Sequence, residues 1–174
     1  DLSVADIEII ADKTTQKPVI TKAPTIKGNS AAIVTLLGKI TPTGNPNIKL
    51  DDTHDIDQLQ TINNATAGAI TFKNDGVKLI GSTAKVSEAL SGVTGYKGEI
   101  DLTDAAGELS ATVIEAIADS TDKTPVITKD PTIKGNTQDV VDVLAKIDVS
   151  GGNPNIKLDD AHDLPKLKTI NNAT

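Results

Sequence analysis

The sequence predicts an α/β fold made of repeats, solenoid-like, with short parallel strands on one side and helices on the other. Three observations lead there. Residues 2–66 recur at residues 109–174, with about 40 of 65 positions identical once one inserted glycine, Gly152, is allowed. Apolar residues then recur at helical spacing in three places. Finally, short strand signals follow one another every 22 to 30 residues, about the size of one turn of an α/β repeat. Compact α/β domains of roughly 50 to 60 residues, built from the same elements, are the alternative.

The shared phrases are "PVITK", "PTIKGN", "NPNIKLDD" and "TINNAT". Between the two copies lies a diverged third, so the expected organisation is residues 1–58 as a long unit, 59–108 as a short one and 109–166 as a second long one. Residues 167–174 would open a fourth unit, as in a piece cut from a longer chain. Units open at Leu2, Leu59, Leu109 and Leu167. From the opening Leu to the next strand is seven residues longer in the long units, which predicts a helix two turns longer there.

In chain order, a weak helix is expected first, with Leu2 and Ile9 on one face; its copy carries Leu109, Val113 and Ile117. Strands are expected to begin at Ile20, Ile48, Ile70, Ile100, Ile127 and Ile156. The stronger helices carry Ile33, Leu36, Leu37 and Ile40; Val86, Ala89, Leu90 and Val93; and Val140, Val143, Leu144 and Ile147. Asn29, Ser82 and Asn136 precede them as N-caps. Strands that all run one way make a parallel sheet, with the helices on the return path.

Composition narrows function. The net charge is −7 and all 17 basic residues are Lys. A nucleic-acid surface calls for a basic patch, Arg forks and aromatic platforms, so that class is set aside. Without Cys there are no disulfides or thiolate sites. Nothing reads as a membrane span.

The turns "LDDTHD" and "LDDAHD" carry the one pattern with chemistry in it. Asp51, Asp52, His54 and Asp55, and their copies Asp159, Asp160, His162 and Asp163, offer oxygen and imidazole ligands to a divalent cation such as calcium. Against this stands a plainer reading, in which a strand ends in a polar turn and an Asp caps the next helix. The short unit has "LTDAAG" here and no His. No other cofactor is expected. Neither a calcium nonapeptide nor an EF-hand loop is present. Two His residues in duplicated turns are a poor basis for one asymmetric active site, so no enzyme is expected.

The stretch "TINNATAGAITF", "LIGSTAKVSEALSGVTGYKGEIDLTD" resembles the tandem repeats of giant secreted and cell-surface bacterial proteins, notably cyanobacterial ones. The long units resemble them only in outline. The resemblance implies an extracellular structural role of surface-layer, adhesin or motility type, and no catalytic residues. The partners it implies are neighbouring repeats of the same parent chain, with self-association or a surface ligand beyond them.

Overall fold

The computed structural model describes all 174 residues. It is an α/β fold with seven helices and parallel strands in three small sheets. The chain divides into two compact units. The first comprises residues 1–77 and 88–93, the second residues 78–87 and 94–174.

The first unit holds a four-stranded sheet of β1 (Leu2–Ser3), β2 (Thr25–Gly28), β3 (Asn47–Leu50) and β4 (Ile70–Phe72). Every neighbour pair is parallel, and Leu2, Ile26, Ile48 and Ile70 lie opposite one another in register. Helices α1 (Val4–Asp12), α2 (Ser30–Lys39) and α3 (Ile56–Ala65) connect successive strands. Because the period along a strand is two, the aliphatic row Ile26 and Ile48 turns inward and is fully buried. Lys27 and Lys49 turn outward.

The second unit contains β5 (Leu79–Gly81), β6 (Ile100–Leu102), β7 (Glu108–Ser110), β8 (Val126–Ile127), β9 (Thr132–Gly135) and β10 (Asn155–Leu158). They form two parallel sheets, β5-β6-β8 and β7-β9-β10. α4 (Thr83–Ala89) begins in this unit and ends among the residues of the first. α5 (Ala111–Ser120), α6 (Thr137–Leu144) and α7 (Leu164–Ala173) complete it.

Strands are present at five of the six expected places; Ile20 lies in no strand and stands beside an isolated parallel bridge between Val19 and Thr41. Five further strands, β1, β2, β5, β7 and β9, stand where the sequence carries no strand signal of its own. β2 and β9 are the phrase "TIKG", whose Lys and terminal Gly look like a lead-in to the N-cap behind it. Those caps do form, with Asn29 and Asn136 accepting from Ala32 N and Asp139 N.

The lengthened helix is not there. α1 has nine residues and α5 ten, against ten in α3. The additional residues make the strand before the helix and the loop after it. Leu2 and Leu109 accordingly lie in strands, whereas Leu59 and Leu167 lie inside helices. The buried faces of α1 and α5 run through Val4 and Ile7, and through Ala111, Ile114 and Ile117, while Ile9 and Val113 are exposed.

Glycines sit where backbones meet. A Cβ on Gly44 would lie 2.2 Å from the Lys22 carbonyl oxygen, and one on Gly152 would lie 2.0 Å from that of Lys129. Lys22 and Lys129 are equivalent, so Gly152 is the partner of Gly44, and Gly151 is the inserted residue.

Candidate functional site

The polar turns following β3, β6 and β10 are the places where the repeat concentrates carboxylates. Each performs the same task. The first four N–H groups of a helix have no partner within it. Asn29 satisfies one at the start of α2. Asp52, from the turn after β3, satisfies another, with its Oδ1 2.8 Å from Ser30 N and its Oδ2 3.4 Å from Ser30 Oγ. Asp104 accepts from Thr83 N at 2.7 Å and from Thr83 Oγ1 at 2.6 Å. Asp160 accepts from Thr137 N and Oγ1 at the same two distances.

Ser30, Thr83 and Thr137 are themselves buried. Each clamp ties the turn after one strand to the start of the helix before it, and a carboxylate there also meets the positive end of the helix dipole. The hydroxyl of Thr137 holds the Asp160 carboxyl below its ordinary range. This hydroxyl partner was missed in the sequence. Its signal is a Ser or Thr directly after the N-cap with an Asp 21 to 23 residues on.

The other acids of the turns have different partners. Asp55 caps α3 in a capping box with Gln58, and Asp163 accepts from Lys166 N at the start of α7. Asp51 lies 3.8 Å from Lys27 Nζ, and Asp159 lies 3.9 Å from Lys134 Nζ. Three carboxylates and an imidazole per pattern are expected to converge; instead the three acids point to a helix behind, a helix ahead and a sheet lysine. No group of three or more His, Asp or Glu side chains stands in an arrangement able to hold a metal ion.

The two histidines part company. His54 is 4% exposed, with its ring against Phe72 at a centroid distance of 4.9 Å. Burial lowers its pKa from the ordinary value, against the opposing pull of Asp52 and Asp55. His162 is exposed, its Nδ1 3.3 Å from the Asp160 carbonyl oxygen.

Among the clefts are two open ones of about 450 Å³ each. One is lined by Asn63, Thr66, Gly68 and Ser91. Asn63 Nδ2 is committed to the carbonyls of Glu88, Ala89 and Ser91, and Thr66 Oγ1 to that of Pro46. The other is lined by Glu108, Lys134, Asn136, Asp139 and Asp159, among which Lys134 pairs with Glu108 and Asp159. The hydroxyls that line the second cleft, of Ser110 and Thr112, are bonded to each other at 2.7 Å. The single tyrosine, Tyr96, is buried and Phe72 is half-covered, so no aromatic platform faces solvent.

Between helices, one ion-pair pattern recurs. Lys39 of α2 reaches Glu8 and Asp12 of α1, and Lys146, just past the end of α6, reaches Glu115 and Asp119 of α5. The Asp119 and Glu115 carboxylates raise the Lys146 pKa. No helix is long and apolar enough to cross a membrane. No protein-family model, curated protein or solved structure matches the chain.

Proposed function

We propose that this chain is a non-catalytic structural segment of a large extracellular or cell-surface protein, a spacer, coat or adhesin stalk of solenoid-like coils. One observation carries the reading: the clamps of Asp52, Asp104 and Asp160. The side chains best suited to chemistry are spent, three times over, on fastening each strand turn to the helix before it. A nearest-neighbour stack needs such a fastening at every step. The in-register aliphatic rows and the recurrent Lys39 and Lys146 pairs support it too, as does an acidic, Cys-free composition for a surface setting.

An antibody raised against the folded chain should label intact cells of the source organism without permeabilisation. Labelling only after permeabilisation would contradict a surface role. A cation such as calcium is no part of this reading, so the unfolding midpoint should be the same with EDTA, Ca²⁺, Mg²⁺ or Zn²⁺. A midpoint raised by one of them would reveal a ligand of the folded form.

A further inference from the structure

We propose that the open face of the sheet β1-β2-β3-β4 binds the carboxylates of an acidic polysaccharide through Lys27 and Lys49. These lysines stand directly opposite each other in the parallel register of β2 and β3, and both are exposed. Neighbouring strands run about 4.8 Å apart, and like charges set so close on one face weaken a sheet. Lys49 has no acid partner, and Lys27 has Asp51 alone, at 3.8 Å. The duplication shows what such a pair accepts. Its copy, Lys134 and Lys157, has the same register on β9 and β10. Glu108 of β7 lies between them, one carboxylate oxygen bonded to Lys157 and the other 3.4 Å from Lys134 Nζ. Lys157, with Lys134 beside it, holds the Glu108 carboxyl below its ordinary range. Lys134 meanwhile keeps Asp159 at 3.9 Å, so the matching contact of Lys27 with Asp51 leaves room for a further carboxylate. Asp1 stands in register where Glu108 does, is one methylene shorter, and makes no ion pair with either lysine.

The surroundings select the kind of chain that brings the carboxylate. Thr71 continues the row of Lys27 and Lys49, and Thr25 and Asn47 form the next row on the same face. No apolar side chain stands in these positions. A protein partner needs apolar contact at the centre of its interface, and a nucleic-acid base needs an aromatic to stack on. A uronic acid needs a cation for its carboxylate and polar groups for its hydroxyls. Thr71 Oγ1 donates to the Ile48 carbonyl and keeps its lone pairs to accept. Asn47 spends its carbonyl oxygen on Ala69 N and keeps its NH₂ to donate. An exposed ion pair is weak by itself, so the ligand is a chain that rebinds through its neighbouring carboxylates and not a single sugar. This site does not depend on where the protein resides, and neither the cell-labelling result nor the cation result bears on it.

An NMR titration of the isotope-labelled chain with an oligomer of galacturonic acid, at low salt with EDTA present, tests it. Amide signals of β2 and β3 should shift, and added salt should reverse the shifts. Lys27→Gln with Lys49→Gln should weaken binding about tenfold, the scale of two exposed ion pairs. Lys134→Gln with Lys157→Gln should leave it unchanged, because that pair already holds Glu108. Glu108→Gln frees the second pair and should add shifting amides in β9 and β10. All five side chains are exposed or half-buried, and well-dispersed spectra would show each variant folded. A wild-type chain whose signals do not move, a Lys27 and Lys49 variant that binds as the wild type does, or a Glu108→Gln variant that gains no site would each overturn it. Tighter binding of polyphosphate at the same amides would overturn the assignment to carboxylates, and equal binding of neutral dextran would overturn the part given to charge.

Discussion

The segment formed by β3 and α3 and the segment formed by β10 and α7 are close copies with different neighbours. β3 lies between β2 and β4, whereas β10 lies at the edge of its sheet. Asn63 of α3 binds three carbonyls at the end of α4; its copy Asn171 is exposed. His54 is buried against Phe72, and His162 is in water. The clamps, by contrast, are the same in both, because Asp52 and Asp160 each reach back to the helix before them. What a side chain does here depends on which neighbour it needs, the preceding element or the following one.

The largest expected contrast follows from burial. Leu59→Ala should cost about 3 kcal/mol in denaturant unfolding, as for a fully enclosed leucine. Leu167→Ala should cost less, since that side chain is already partly exposed. Equal costs would mean that α7 is covered as α3 is. Next comes the corner glycine: Gly44→Ala drives a methyl into the Lys22 backbone and should cost about 2 kcal/mol. Gly38→Ala, with open space around it, should stabilise α2 slightly, as expected for replacing a helical glycine.

Removing a clamp is a smaller perturbation. Asp52→Ala should lower stability by about 1 kcal/mol, the usual scale for a lost helix cap, and Asp52→Asn should recover part of it. Asp51→Ala, which removes a surface ion pair with Lys27 at 3.8 Å, should change little. The smallest effect is the pH dependence from His54. Its folded-state pKa lies below the unfolded value, so the unfolded chain binds the proton more readily. Stability should be complete above about pH 6.5 and decline as pH falls below that value, where the unfolded His takes up its proton. His54→Gln should flatten that slope in urea titrations between pH 5 and 7.

Much of the architecture was legible because duplication fixes periodicity without any knowledge of contacts. The α2, α4 and α6 faces and their caps followed from Ile33, Val86 and Val140 and the Asn or Ser before each helix. "TIKG" was not read as a strand because four residues with a Lys and a Gly carry little strand signal by themselves; their pairing partners lie 22 to 24 residues away. The acids of "LDDTHD" were legible as a cluster of charge but not as three separate tasks. Neighbours in sequence, Asp51, Asp52 and Asp55, are turned apart by the strand's end and the following cap. Nor could the sequence distinguish His54 from His162, since the phrase around them is nearly the same and the difference comes from Phe72.

The proposed stack implies that β10 and α7 would be completed by a following segment as β3 is by β4. The most direct measurement extends the chain by joining a second copy of residues 67–108 after Thr174, where they would follow "TINNAT" as they do after Thr66. Hydrogen exchange should then show the amides of β10 and α7 slowing to the protection seen in β3 and α3, with the unfolding midpoint rising. Exchange in β10 and α7 that remains as fast as before, beside a folded extension, would contradict the account.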